Sequence, residues 1–589
     1  MYGLPLACAV AITLAAGALP AQDSRTAAQH RERGVSLMTS GDSAAALAAF
    51  RAAVALDPAD AVSHDAIGVL VADNGDLPAA IVSFRESIRL DPGLAAAHFH
   101  LALALERTGH ANDAIQSYAR ALRLRADLVE ARYGLSSAAA ALGDYDGAIT
   151  LLRLVIASLP QAPEPEYNLG IYYWSRYKSA RGPRHASDLD DALAALKAAI
   201  ALAPDQARFH SALGRLLVDR LDIDGAIDSL RRARALEPGR MEHAYDLGLA
   251  LRVAGDFAGA EDQIRAVTAA DPDDGLARRA LALLLRTKGD LPAAATELRA
   301  AVAALPDDAQ AYHLLGSVLL KLDDAPAGLE QLKRAITLDP SLVEARVTLA
   351  QALARAGRRA EAREQQDAVE RINGGKAALG RAMLLVDSAT DALKRARPAD
   401  AVPLLREAVA LAPALAEAHF QLAMALKQGQ ARRSSRTAAA VGRSPGDEVD
   451  VELRRAVELE PSHAPAHVEL GLRHASRGEI PSAIDALRRA VMLAPGLVAA
   501  QRALADLAVR QGDWPTAVGA FEAVLAWVPE DVPAAVALSS VLARQHDCAG
   551  ANALVQRVAR VDSKRTGSER ELLAELKRCG LEPPAPGAL

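Results

Sequence analysis

Proline returns along this chain at Pro58, Pro92, Pro160, Pro204, Pro238, Pro272, Pro306, Pro340, Pro413, Pro461, Pro495 and Pro529, with most gaps equal to 34 residues or a multiple of it. A regular interval of this length restricts the chain to copies of one small supersecondary unit stacked on its neighbours. With these prolines set at repeat position 32, position 8 is repeatedly glycine (Gly34, Gly68, Gly170, Gly214, Gly248, Gly316, Gly471). Position 20 is almost always alanine, from Ala46 and Ala80 to Ala483 and Ala517. A helix with Gly at 8 can approach a partner with Ala at 20 closely; larger residues at both positions would push the axes apart. Between them, Gly41-Asp42, Gly75-Asp76, Gly143-Asp144, Gly255-Asp256, Gly289-Asp290 and Gly512-Asp513 place a left-handed-permissive residue at the end of one helix and a capping carboxylate at the start of the next. The proline then stops the second helix and opens the following repeat.

Composition agrees with helices throughout. Hydrophobic residues make up 51% of the 589 residues but aromatic ones only 3%, so good helix formers dominate and strand-favouring rings are scarce. The mixture is uniform from about residue 26 to residue 565, which argues for one extended architecture rather than several separate cores. With 67 basic and 73 acidic residues and a net charge of −6, the chain has no global field for nucleic acid or an acidic membrane surface.

This pattern resembles the tetratricopeptide repeat family: Leu and Gly at 7 and 8, Ala at 20, a large apolar residue at 24 (Phe50, Phe84, Tyr118, Phe521) and Pro at 32 recur together. The resemblance implies an all-α, right-handed superhelical solenoid of helix-turn-helix repeats. Repeats are predicted to begin near residues 27, 61, 95, 129, 163, 207, 241, 275, 309, 343, 382, 416, 464, 498 and 532. Repeats 1–10 would occupy 27–376 and repeats 11–15 would occupy 377–565. A capping helix follows at 566–580 and a disordered tail at 581–589. Repeats five and twelve carry extra residues near 175–188 and 430–447, and Gly374-Gly375, with no proline before it, is the candidate hinge.

Most features that look catalytic fit the scaffold instead. His30, His64, His98, His210, His419 and His467 all fall at position 4, where one role repeated six times reads as packing and capping. His98 and His100 do not share a helix face and make no chelate. Gly442-Arg443-Ser444-Pro445-Gly446 spells a serine-hydrolase elbow but has no strand before it. No phosphate loop, dinucleotide fingerprint or metal-ligand set appears, so no enzyme activity, cofactor or metal is expected.

The family's concave groove is lined by first helices at positions 2, 5, 6, 9, 12 and 13, which by resemblance nominates Phe99, His100, Tyr133, Tyr167, Asn168, Trp174, Tyr245 and Phe420 as contacts for an extended peptide or protein surface. Large aromatic side chains dominate interface energetics. The basic insertions, Arg176, Lys178, Arg181, Arg184 and His185 in one and Arg432, Arg433, Arg436 and Arg443 in the other, suggest an anionic partner, with a periplasmic glycan-handling or polysaccharide-export role as the alternative. Residues 1–22 read as a secretory signal, or else an uncleaved anchor, placing the protein in the periplasm or outside the cell, with no integral span expected. Cys548 and Cys579 would then be joined in a disulfide, the other reading being two buried thiols.

Overall fold

The computed structural model describes residues 23–179, 187–434 and 445–561. The expected signal at 1–22, the capping helix at 566–580 and the tail at 581–589 lie outside them. Among the described residues there are 29 α-helices, numbered α1–α29 along the chain, and no strands. First helices begin at Ala61, Ala95, Val129, Pro163, Ala207, Met241, Gly275, Ala309, Val343, Ala416, Ala464, Val498 and Val532, each at its predicted residue. The chain is an all-α solenoid of tandem helix-turn-helix repeats. It divides into two compact units, with described residues within 1–160 and 446–589 for the first and within 161–445 for the second.

The repeat positions act as their chemistry requires. At Gly68 an added Cβ would lie 2.5 Å from the Phe84 ring, and at Gly248 it would lie 2.8 Å from Ile264 and 3.3 Å from the Ala260 carbonyl. Position 8 is therefore covered by the position-24 side chain as well as by the backbone of position 20. Between helices, Gly41, Gly75, Gly143, Gly255, Gly289 and Gly512 all have φ between 76° and 91°. The following aspartates cap: Asp42, Asp76, Asp144, Asp256, Asp290 and Asp513 each accept a backbone N–H three residues on.

Two expectations are corrected. The Gly374-Gly375 hinge is absent: α20 (Arg359–Lys394) runs unbroken for 36 residues, so the second helix of repeat ten and the first of repeat eleven are one rod, and the predicted boundary after 376 falls inside it. Both glycines lie on an exposed stretch with nothing within 4 Å of an added Cβ, so helical hydrogen bonding continues across them unopposed. The helices also run further into the inserted stretches than predicted. α9 (Pro163–Ser179) continues through Arg176 and Lys178, and α22 (Ala416–Ser434) precedes α23 (Pro445–Leu459).

The first unit contains a contact that the repeat does not explain. α6 (Ala111–Leu124) packs on α27 (Trp514–Trp527), and every residue from Ala520 to Trp527 is buried. Trp527 is 3% exposed where the corresponding Leu56 of repeat one is 45% exposed. Buried Glu522 pairs with Arg120 and Arg123, the latter with its side chain 4% exposed. Asp144 accepts from Gly496 N at 2.6 Å, and an added Cβ at Gly147 would meet the Trp527 ring at 2.8 Å. A helix apolar on nearly all sides is a buried one, and α27 is buried by this contact.

Candidate functional site

Helical periodicity puts positions 5, 9 and 12 on one face of each first helix, because residues four and seven apart lie above one another. On α9 this face carries Tyr167, Ile171 and Trp174; on α11 (Ala207–Asp219), Ser211, Arg215 and Val218; on α13 (Met241–Ala254), Tyr245, Leu249 and Arg252. On α15 (Gly275–Lys288) it carries Arg279, Leu283 and Arg286, and on α17 (Ala309–Lys321), His313, Ser317 and Leu320.

The predicted aromatic contacts divide into two groups. Phe99, His100 and Trp174 are buried at 2%, 7% and 7% exposure and are core, not groove. Phe99 lies 6.1 Å from the Tyr118 ring and 5.6 Å from His100. His100 Nδ1 bonds the buried Asp65 carboxylate at 2.9 Å, which satisfies two polar groups that burial would otherwise penalise. Trp174 donates Nε1–H to Asp219 at 2.6 Å, and the Lys178 ammonium sits 4.0 Å over its ring. Tyr133 in the first unit and Tyr167, Asn168, Tyr245 and Phe420 in the second are half-buried. Tyr167 is held rigidly: its ring stacks on Phe209 at 4.9 Å, the Arg208 guanidinium lies 5.1 Å over it, and Arg208 pairs with Glu164.

The basic loops do not supply free charge where they are described. Arg176 pairs with buried Asp188 at 2.7 Å, and Lys178 with Asp219 at 3.2 Å, so both cations serve the fold of repeat five. Arg181, Arg184, His185, Arg436 and Arg443 lie outside the described residues, as does Ser444 of the elbow motif. Arg432 and Arg433 close α22, but their side chains are likewise undescribed. Cys548 opens α29 (Cys548–Val561) and is disulfide-bonded, whereas Cys579 lies outside the described residues.

The position-4 histidines have a single role. His64, His98, His210, His419 and His467 each bring Nε2 to the carbonyl of the preceding position-32 proline, at 3.2, 3.1, 2.8, 3.0 and 3.0 Å. Where histidine is missing, Arg346 and Gln501 donate to Pro340 and Pro495 instead. Burial, opposed only in part by the Pro92 carbonyl, pushes His98 down to about 4.

Charges missed in the sequence lie on the same first-helix face. Arg252 and Arg286 are half-buried at position 12 of repeats seven and eight, and among the described residues neither has an ion-pair partner. Position 12 is among the positions that the family resemblance nominates for the groove, so the signal is present in the sequence, although these side chains are not aromatic. Elsewhere, a cleft of about 310 Å³ in the first unit is lined by Asp506, Arg510, Trp514 and Arg544. Its charges are partly answered locally, with Arg510 facing Asp506 and Arg544 lying 5.9 Å over Trp514. Among the described residues no cluster of metal-ligating side chains occurs, and no helix is long and apolar enough to cross a membrane.

The tetratricopeptide repeat model matches residues 31–95, 66–127, 99–163, 184–241, 245–309, 313–377, 452–497 and 502–565. No curated protein matches the chain. Among solved structures, a thermophilic tetratricopeptide repeat protein of Thermus thermophilus is 26% identical, covering 32% of this chain and 98% of its own, with a TM-score of 0.28. YrrB, described as having an unusual peptide-binding site, is 21% identical over 33% of this chain and 95% of its own, with a TM-score of 0.28. Yeast Tom70 is 15% identical over 74% and 93%, with a TM-score of 0.31. At these TM-scores the structures carry no argument, whereas the family model covers most of the chain. The chain belongs to the tetratricopeptide repeat family.

Proposed function

We propose that this protein is a non-catalytic scaffold that holds an extended segment of a partner protein against the first-helix face of its second unit. The observation that carries this reading is the set of half-buried side chains at groove positions on successive first helices, with Tyr167 locked by stacking on Phe209 and Tyr245 on α13. Rings that are already ordered lose little entropy on binding, which favours them as anchors. The glycan-handling alternative has less support, because Arg176 and Lys178 are engaged within the fold.

Replacing Tyr167 and Tyr245 with Ala tests the scaffold reading by photo-crosslinking in the native envelope or secretome. Loss of partner adducts with helicity retained supports it; recovery of every adduct defeats it. Phe99 is unsuitable for this test, since its removal would disturb the core. Export is part of the proposal. The apolar first 22 residues and the disulfide at Cys548 favour an oxidising compartment, and intact mass after alkylation, with and without reduction, reads the pairing with Cys579.

A further inference from the structure

We propose that α6 and α27 form an exchangeable self-recognition surface, through which a second copy of this chain lays its α27 on the first copy's α6 and receives the first copy's α27 in return. Each contact in such a pair is the one seen within a single chain.

The inward face of α27, with Ala517, Ala520, Phe521, Val524 and Leu525, packs into the core of its own repeats. Glu522, Ala523, Ala526 and Trp527 are buried as well, although they lie outside that core. At positions 26 and 29 of repeat thirteen, which correspond to Ala523 and Ala526, Arg489 and Met492 are exposed. Cover from α6 therefore sets α27 apart from an ordinary second helix. Uncovered, it would present an apolar strip holding one carboxylate, and such a surface seeks a partner. The complement is on α6: Arg120 and Arg123 reach Glu522, and Arg123 also faces Asp547 at 3.9 Å. At the edge of the contact, Asp144 ahead of α8 (Tyr145–Ser158) takes the Gly496 N–H, so hydrogen bonding as well as charge fixes the register.

This contact can open without unfolding the repeats. In a solenoid each repeat is stabilised by its immediate neighbours. Here α4 packs on α5 and α6 on α7 in one half of the first unit, and α25 on α26 and α27 on α28 in the other. None of these pairs needs α6 against α27. Residues 161–445 separate the two halves in sequence, so closing the contact within one chain orders segments far apart. Nor is every buried group answered: Trp527 Nε1 has no hydrogen-bond partner, and burial raises the Glu522 carboxyl despite both arginines. A buried ion pair adds little net stability but strongly disfavours a mismatched partner. A selective contact of modest strength, between segments whose cores do not depend on it, is what exchange between copies requires. Reciprocal exchange makes two identical contacts about a two-fold axis and leaves neither surface open to a third copy.

The test uses the full chain, with free thiols blocked, in two charge-reversed forms: Glu522→Arg, and Arg120→Glu/Arg123→Glu. Neither form can make the contact with itself, within a chain or between copies, because like charges then face each other. Mixed, each α6 meets the opposite charge on the other form's α27. Light scattering is expected to give each form alone the mass of one chain and the equimolar mixture twice that mass, with association at least tenfold tighter than that of either form with itself. A mixture that stays monomeric while both forms keep their helicity overturns the proposal. Equal self-association of either form also overturns it, since another surface is then responsible. A second readout needs neither variant to fold: a photo-crosslinker replaces exposed Gln116, one turn before Arg120, in a chain otherwise wild type. This chain is mixed at high concentration with isotopically heavy wild type. Adducts to heavy α27 support exchange, and adducts confined to the chain's own α27 overturn it.

Discussion

A histidine at position 4 of these repeats donates to a proline carbonyl, and Gln501 shows that an amide can do the same work. For His98 the titration should therefore be separable from the structural role. His98 has its pKa lowered to about 4, chiefly by burial, with Arg120 and Arg123 adding to the effect and the Pro92 carbonyl and Asp91 opposing it. An unfolded histidine titrates near 6.5. Because the folded value is depressed, the unfolded state binds the extra proton first. The neutral ring's contribution is complete above about pH 6.5 and is lost as pH falls toward 4. At about 1.4 kcal/mol per tenfold change, the loss is roughly 3 kcal/mol. Hydrogen exchange of α5 (Ala95–Arg107) at pH 7 and near pH 4 should show this fall in wild type and a flatter response in His98→Gln. The same slope in both proteins would contradict the assignment. Other groups move the opposite way, since burial raises Asp73, Glu106 and Asp144, so the difference between variants is the quantity that reports His98.

At the scale of the element, α20 shows how a local signal is overridden. A Gly-Gly pair reads as a break because glycine gives up the most freedom on becoming helical. Flanking stretches rich in Ala, Arg, Glu and Gln favour the helix on both sides, and one continuous rod satisfies every interior backbone group that a break would expose. Gly374→Ala and Gly375→Ala should each stabilise α20 by about 0.5–1 kcal/mol, because their side chains meet open space. A rise in the thermal midpoint without loss of peptide binding is expected. A fall in either would restore the hinge. The turn between helices makes the converse point: Leu221, Asp323, Ala396 and His546 take φ of 57° to 65° where other repeats use glycine, so the turn's geometry is imposed by the two packed helices rather than by the residue at its apex.

Across the whole chain, the contact of α6 with α27 brings together residues 402 apart, Arg120 and Glu522. Removing one member of a buried ion pair commonly costs about 3–5 kcal/mol because a charge is left unanswered. Glu522→Arg should therefore separate these helices and expose Trp527 to acrylamide quenching, while Arg123→Glu with Glu522→Arg should restore protection. If the double variant is as exposed as the single one, the ion pair does not set this contact. The repeat boundaries were legible because each hairpin repeats the same glycine, alanine and proline chemistry within 34 residues. The groove residues were legible only as helix positions. Phe99, His100 and Trp174 were placed on the right elements, but Phe99 packs beside Tyr118 on the second helix of its own repeat, while His100 and Trp174 bond Asp65 and Asp219 of adjoining repeats.

By itself the sequence determined the helical hairpin, its length, its caps and the register of nearly every first helix, since these depend on backbone preferences and contacts within a repeat or between adjacent ones. Only the tertiary structure decided which side chains at groove positions stay accessible, which cations are answered by carboxylates, and that α27 is covered by α6. Those outcomes depend on how side chains from different helices, and for α27 from distant repeats, come together. The two arginines left without partners, Arg252 and Arg286, emerge from that arrangement because an unpaired charge is a property of the surroundings and not of the residue.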